Sequence, residues 1–93
     1  MSETRALHLV IGGRVQGVGF RWFVRNAARA LELSGRVRNL PDSRVEVRVA
    51  GHPERLTIFL DRLREGPPAA RVTEIEEREL SPVPDWTGFD IDH

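Results

Sequence analysis

Residues 7–31 read LHLVIGGRVQGVGFRWFVRNAARAL, and the spacing of their apolar side chains changes partway along. Leu7, Leu9 and Ile11 alternate with other residues, which is the period of a half-buried β-strand. From Phe20 onward the apolar residues recur at helical spacing, at positions 20, 23, 24, 27 and 31. The stretch therefore predicts a strand, a glycine-containing loop and a helix of about three turns, with Ser34-Gly35 ending the helix.

Two further strands joined by a tight turn are predicted after this helix. The second strand runs from Arg36 to Leu40, and Pro41-Asp42-Ser43 follows as a turn, because Pro presets φ and Asp hydrogen-bonds to nearby backbone. The third strand is indicated by Val45, Val47 and Val49, which alternate with largely polar neighbours. The pattern predicts a hairpin with one apolar face.

A second helix is predicted to start at Pro53 and to end at Gly66-Pro67-Pro68. Val72 to Leu80 predict a fourth, exposed strand, and Phe89 with Ile91 predicts a short fifth one. The apolar stripe of the second helix consists of Leu56, Phe59, Leu60 and Leu63.

This order of elements is typical of an α+β, ferredoxin-like split βαβ sandwich. We expect an antiparallel sheet of four to five strands with both helices on one face. Because 93 residues suffice for one compact core, a single domain over residues 1–93 is predicted. The fold supports many functions and therefore decides none of them.

The composition excludes several kinds of chemistry. The chain has no Cys, which excludes disulfides, thiolate metal sites and cysteine nucleophiles, and its 14 basic residues are all Arg, which excludes lysine Schiff bases. His8, His52 and His93 lack ligand spacing, so we expect no metal site. No apolar run approaches the ~18 residues of a membrane span, and the polar N-terminus does not resemble a signal peptide. We therefore expect a cytoplasmic protein that does not bind membranes.

The formal net charge is +0, but its distribution along the chain is uneven. Residues 1–40 contain seven Arg and two Glu, a net charge of +5, and the remainder carries −5. A local positive field attracts small anions without the overall basicity usual in nucleic-acid-binding proteins. An RNA-binding module with this strand order is also not favoured, because the first and third predicted strands contain no aromatic residue for base stacking.

The loop from Gly12 to Gly19 has several features of an anion site. Glycines permit positive φ, so successive N–H groups can form a concave nest, and the next helix adds free N–H groups and partial positive charge. Arg21, in the first helical turn, has a guanidinium suited to two phosphate oxygens. The loop does not match the nucleotide-binding motifs. The Walker motif requires Lys and then Ser or Thr after its last glycine, but Val18 follows Gly17 here. The dinucleotide-binding motif would require a third glycine at position 22, which is Trp22. These residues alone are consistent with an anion site and equally with a tight loop that only connects the strand to the helix.

Two segments resemble the signature motifs of the acylphosphatase family, small enzymes that hydrolyse the carboxyl–phosphate bond of acyl phosphates. The first is GRVQGVGFR at residues 13–21, and the second is GRVRNLPD at residues 35–42, which runs into Val45-Glu46-Val47. GPPAARV at residues 66–72 and GFDI at residues 88–91 are also similar to family segments, so the resemblance spans residues 7–92.

The resemblance implies roles for particular residues. Asn39 is the residue that would orient the attacking water, and no cofactor or metal is needed, because a carboxylate leaves without a general acid. The implied substrate is a small acyl phosphate, the product is inorganic phosphate, and the expected protein is a monomer. The phosphoryl group would be held by Arg21 together with the main-chain N–H groups of Val15, Gln16, Gly17, Val18, Gly19 and Phe20.

The chain departs from the family pattern at three positions. Glu32 stands where a helix-ending Gly is frequent, Arg36 where an aromatic residue is usual, and Ser43 where Gly commonly follows Asp in the turn. None of the three replaces Arg21 or Asn39. An alternative function that the sequence leaves open is a non-catalytic anion-binding or regulatory ferredoxin-like module.

Overall fold

The structure is a computed structural model that describes residues 3–92. The predicted order of elements is confirmed, including the fifth strand. Within residues 3–92, no helix has the length and apolar character needed to cross a membrane. In chain order the elements are β1 (Arg5–Arg14), α1 (Phe20–Ala30), β2 (Ser34–Asn39), β3 (Val45–Gly51), α2 (Pro53–Glu65), β4 (Arg71–Leu80) and β5 (Phe89–Ile91).

The five strands form one sheet in the order β4-β1-β3-β2-β5. The pairs β1–β3, β1–β4 and β2–β3 are antiparallel, which confirms the ferredoxin-like arrangement. The expectation of an antiparallel sheet is wrong at one edge, because β5 pairs parallel to β2, with Gly35 opposite Phe89. The reason is the connection after β4, which carries the chain to the opposite edge of the sheet, where β5 runs in the direction of β2.

The core lies between the sheet and the two helices. Leu9 and Ile11 of β1 are fully buried there, and Phe20 of α1 and Phe59 of α2 pack in the same cluster. Burying a side chain of this size stabilises the fold by roughly 1.5–3 kcal/mol. Since Phe20 is the first residue of α1, this burial also anchors the beginning of the helix in the core.

Helix α1 ends earlier than the sequence predicts. Ser34-Gly35 does not end the helix but begins β2. The chain reverses at Glu32, whose φ of 56° is left-handed, and two hydrogen bonds close the helix, from Leu33 N–H to the Ala28 carbonyl and from Glu32 N–H to the Arg29 carbonyl. This is a Schellman motif with Glu at the position that glycine usually occupies. Glu32 thus adopts the left-handed conformation at the position where the family pattern has a helix-ending glycine.

Strand β1 is interrupted just before the loop that leads to α1. The register between β1 and β4 shifts between Gly12 and Gly13. A Cβ at Gly13 would overlap the backbone oxygen of Arg71, so only glycine lets the two strands approach this closely. Such a bulge bends a strand at its end, and here it directs the chain away from the sheet and into the loop.

Candidate active site

The loop between β1 and α1 is anchored at both ends and open between them. Val15 and Phe20, on either side of the turn, are each only 1% exposed. Gly17 and Gly19 have φ values of 73° and 77°, and a Cβ on either would meet nothing within 4 Å. These glycines are therefore required by backbone conformation and not by crowding. The space beside the loop is accessible to a ligand.

Helix α1 begins without a side-chain cap. Its N-cap residue is Gly19, and its first turn contains no acidic residue. The first N–H groups of a helix have no intrahelical partner, and together with the helix dipole they favour a negative charge at this end. In many helices a Ser or Asp at the N-cap supplies that partner. Here Gly19 supplies no side-chain partner, so this helix start has the N–H groups and the partial positive charge that an anion could bind.

Arg21 is the second residue of α1 and is half-buried. Within residues 3–92 it forms no hydrogen bond or ion pair with another side chain, whereas Arg29 and Arg38 each bind a carboxylate at 2.7 Å. A guanidinium at the N-terminal end of a helix is electrostatically unfavourable unless an anion is near. The side chain therefore has both the charge and the free donors to bind a phosphate.

Asn39 is the last residue of β2 and lies at the same end of the sheet as the loop. It is paired with Val45 of β3, and Val45 is paired on its other side with Ile11 of β1. Asn39 and Ile11 are thus two strand spacings apart, roughly 10 Å. The Oδ1 atom of Asn39 is buried and accepts no hydrogen bond from any group in the described part of the chain. Such an oxygen costs about 1–3 kcal/mol unless a donor such as water satisfies it.

The side chain of Gln16 links the loop to the hairpin that follows Asn39. Its Nε2 donates hydrogen bonds to the backbone oxygens of Leu40 and Arg44, both at 2.9 Å. From the sequence we expected only the main-chain N–H of Gln16 to take part. The side-chain contact was missed because its acceptors are backbone carbonyls, which leave no mark in the sequence.

Two carboxyl groups near the hairpin, those of Asp42 and Glu46, have a lowered pKa. A hydrogen bond from the Arg44 side chain lowers the pKa of Asp42. Partial burial acts to raise the pKa of Glu46, but hydrogen bonds from His8 and Arg38 outweigh burial, and that pKa also lies below its usual value. Neither group is therefore suited to donate a proton near neutral pH.

The remaining residues singled out from the sequence lie apart from the loop. His8 contacts Glu46 at 2.9 Å on the outer face of the sheet, and His52 precedes α2. Arg36 faces Asp92 at 3.6 Å, also on that outer face. His93 lies outside the described residues. Among residues 3–92 there is no group of three or more His, Asp or Glu side chains placed to hold a metal ion.

Comparisons with known proteins agree on one family. The family model described as acylphosphatase matches residues 7–91. The acylphosphatase of Thermococcus kodakarensis is 50% identical over 82 residues, which cover 88% of this chain and 89% of the relative. The crystal structure of acylphosphatase from Bacillus subtilis superposes with a TM-score of 0.93 at 35% identity, covering 96% of this chain and 99% of that one. A structure of full-length HypF in its phosphate- and nucleotide-bound form matches with a TM-score of 0.88 at 32% identity, over 100% of this chain but only 12% of HypF.

Proposed function

Because the chain belongs to the acylphosphatase family and is a hydrolase of acyl phosphates, we propose that it binds the phosphoryl group of its substrate with Arg21 and the main-chain N–H groups of residues 15–20. The observation that carries this proposal is the Arg21 guanidinium, which has no side-chain partner among residues 3–92 and lies beside a helix start that lacks both a side-chain cap and an acidic residue. The positive φ of Gly17 and Gly19, with open space beside both, supports binding of an anion against the loop backbone.

Asn39 orients the attacking water in this proposal. Its side-chain amide forms a hydrogen bond with the water and directs a lone pair of the water oxygen at phosphorus. The amide can donate through Nδ2 or accept through Oδ1. The link from Gln16 to the hairpin supports a short separation between Asn39 and the loop.

The reaction is a transfer of the phosphoryl group to water. A bond forms between the water oxygen and phosphorus, and the bond between phosphorus and the carboxyl oxygen breaks. The electron pair of that bond leaves with the carboxylate. Both protons of the water stay on the phosphate product, which then exchanges protons with the solvent. Charge spreads over the three equatorial oxygens in the transition state, where fixed N–H donors and Arg21 stabilise it. Each such donor is typically worth about 3–4 kcal/mol of activation free energy.

The leaving group requires no acid, which agrees with the ionised state of Asp42 and Glu46. Acyl phosphates have a carboxylate leaving group, which departs without protonation. The non-catalytic module that the sequence left open finds no support, since the similar proteins with matching length are named acylphosphatases.

We also propose the finer properties that follow from this function. The substrates are small acyl phosphates, because the loop contacts only the phosphoryl group and leaves the acyl part loosely specified. The chain acts without a cofactor as a cytoplasmic monomer built on one domain over residues 1–93. The family match over residues 7–91 supports the single domain, and the charged outer face of the sheet, with His8, Glu46 and Arg48, supports the monomer.

Hydrolysis of benzoyl phosphate with EDTA present tests the proposal. We expect turnover by the wild type, and a loss of at least about 100-fold in kcat/KM for Arg21→Ala and in kcat for Asn39→Ala. Phosphate affinity, measured by calorimetry, is expected to fall in Arg21→Ala and to stay near the wild-type value in Asn39→Ala.

Matched controls are available on the exposed faces of the helices. Arg62→Ala on α2 and Asn26→Ala on α1 remove the same side-chain types away from the loop. Both controls are expected to keep wild-type kcat. If Arg21→Ala or Asn39→Ala behaves like its control, the assigned role of that residue is wrong.

A further inference from the structure

We infer that the side chain of Gln16 is a positioning residue, which fixes the separation between the phosphate-binding loop and Asn39. The inference rests on the proposed function of the loop and of Asn39. It concerns the Gln16 side chain, whereas the proposed function uses only its main-chain N–H group.

The Gln16 side chain lies outside the hairpin between β2 and β3 and forms hydrogen bonds with the backbone at its turn. Leu40 and Arg44 face each other across the turn, and the Leu40 N–H donates to the Arg44 carbonyl at 2.8 Å. The Ser43 N–H donates to the Leu40 carbonyl at 3.3 Å. Gln16 Nε2 lies between these two carbonyls and donates to both, at 2.9 Å each. The amide NH2 group has two hydrogens and can therefore donate to both carbonyls.

One of the two acceptors belongs to the residue directly after Asn39. Any shift of the Leu40 carbonyl relative to the loop therefore moves Asn39 as well. No other side-chain hydrogen bond in residues 3–92 joins residues 15–19 to this hairpin. The loop itself contains Gly17 and Gly19, whose backbone is intrinsically permissive. Without the Gln16 contact, the loop and Asn39 would be connected only through the sheet and the start of α1.

The reaction is sensitive to this separation, because the water on Asn39 has to lie in line with the bond that breaks. A displacement of about 1 Å in a catalytic group can reduce the rate by about 100-fold. Binding of the phosphoryl group depends on the loop and Arg21 and not on the hairpin. Loss of the Gln16 contact is therefore expected to affect kcat much more than phosphate affinity.

The test compares Gln16→Met with Gln16→Glu. Met has a similar length and no donor, whereas Glu places a carboxylate against two carbonyl oxygens. For benzoyl phosphate we expect kcat to fall by about 10- to 100-fold in Gln16→Met and further in Gln16→Glu. KM and the dissociation constant of inorganic phosphate are expected to stay within about threefold of the wild type.

Thr57→Val is the matched control. Thr57 Oγ1 donates to the Pro53 carbonyl at 3.1 Å, which is also a side-chain bond to a backbone oxygen, but it lies within α2. Its removal is expected to lower the urea midpoint slightly without changing kcat. If Gln16→Met lowers the midpoint and leaves kcat unchanged, Gln16 is merely structural and the inference is wrong. An equal loss of phosphate affinity and kcat would also overturn it, because the effect would then lie in the loop alone.

A double substitution separates this inference from the proposed function. In an Asn39→Ala background, Gln16→Met is expected to cause little further loss of kcat, because both changes remove the same positioned water. If Asn39→Ala keeps wild-type kcat, the proposed role of Asn39 fails and the inference fails with it. If Asn39→Ala is impaired but Gln16→Met is not, or if the two losses multiply, only the inference fails.

Discussion

Two parts of the molecule use left-handed backbone in different ways. In the loop between β1 and α1, positive φ occurs at Gly17 and Gly19, and in the turns that flank β2 it occurs at Glu32 and Ser43. All four positions are exposed. The loop thus has glycine at both left-handed positions, whereas the turns have residues with side chains.

The difference shows what glycine is needed for in each place. A residue with a side chain costs roughly 1–2 kcal/mol in left-handed conformation, and the turns tolerate that cost because their side chains project into solvent. Glu32 even gains a contact there, an ion pair with Arg55 at 2.8 Å. In the proposed function the loop backbone itself contacts the phosphate, so a Cβ at Gly17 or Gly19 would affect binding as well as conformation.

Gly35 lies in a crowded part of the sheet, and its replacement is expected to have the largest effect on stability. Gly35 has a φ of 146°, and a Cβ there would overlap the Arg48 backbone oxygen within the sheet. We expect Gly35→Ala to lower the free energy of unfolding by about 3 kcal/mol or more, because two backbones would have to separate. Urea unfolding measures this. Gly88→Ala is the control, since Gly88 has a φ of 68° and open space, and it is expected to cost only about 1 kcal/mol. Equal losses in both variants would show that conformation alone matters.

Gly19→Ala tests the function of the open glycines. We expect a loss of about 10- to 100-fold in kcat/KM for benzoyl phosphate, because relief of the strain would turn the loop N–H groups away from the phosphate. The free energy of unfolding is expected to fall by only about 1–2 kcal/mol. Ser43→Ala, at a position with the same sign of φ, is the control and is expected to keep wild-type kinetics. Wild-type kcat/KM in Gly19→Ala would remove the functional distinction between the loop and the turns.

The reverse substitution, Ser43→Gly, is expected to stabilise the hairpin. Pro41-Asp42-Ser43 is a three-residue connection whose last residue is left-handed, a position that favours glycine. Relief of strain, less the greater entropy of glycine in the unfolded chain, predicts a gain of about 0.5–1 kcal/mol. Thermal or urea unfolding measures it, and kcat serves as the control because it is expected not to change. A loss of stability would contradict the assignment of strain to Ser43.

Glu32→Gly is expected to have a smaller effect than Ser43→Gly. The same relief of strain is offset by loss of the exposed ion pair with Arg55, worth about 0–1 kcal/mol. The net change in the free energy of unfolding is expected to lie within about 0.5 kcal/mol of zero. Raising the salt concentration screens the ion pair in the wild type, so the variant should become relatively more stable at 1 M NaCl than at low salt. The absence of any salt dependence would show that the ion pair contributes nothing.

The smallest effect concerns Asp42, whose side chain forms hydrogen bonds within the hairpin turn next to Ser43. Its carboxylate accepts hydrogen bonds from the backbone and side chain of Arg44, and the side-chain bond lowers the pKa of Asp42. A lowered pKa in the folded state means that the stabilisation is present above the unfolded pKa, about 3.9, and is lost as pH falls through the folded value. The wild type is therefore expected to exceed Asp42→Asn in stability at pH 7, and the difference should shrink as the pH falls below the unfolded pKa and vanish below the folded one. A difference that grows at low pH would have the wrong sign and would refute this role.

Much of the fold was predictable because it follows from local patterns. The alternation in β1 and β3, the helical stripes from Phe20 and from Pro53, and the proline-containing turns each depend on neighbouring residues only. The end of α1 was predicted too late, at Ser34-Gly35, because the residue that reverses the chain is Glu32 and not a glycine. Glu32 adopts the left-handed conformation, and hydrogen bonds to the helix backbone hold it there.

The candidate site was predictable where the sequence itself carries the chemistry. Glycines before a helix, an arginine in its first turn and an asparagine before a proline turn are local features, and the resemblance to a family joined them into one site. The contact of Gln16 with Leu40 and Arg44 was not predictable, because a glutamine in a loop has many possible partners and its acceptors here are backbone oxygens.

The sequence by itself determined which segments form strands and helices, where the backbone is permissive, and which side chains have the chemistry to bind a phosphate. These properties depend on dihedral preferences and on charge, which each residue carries with it. The tertiary structure decided the rest: that β5 joins β2 in parallel, that the Asn39 oxygen is buried without a partner among residues 3–92, and that Gln16 bridges the loop to the hairpin. Each of these depends on residues far apart in the chain, whose distances are set only when the core closes around them.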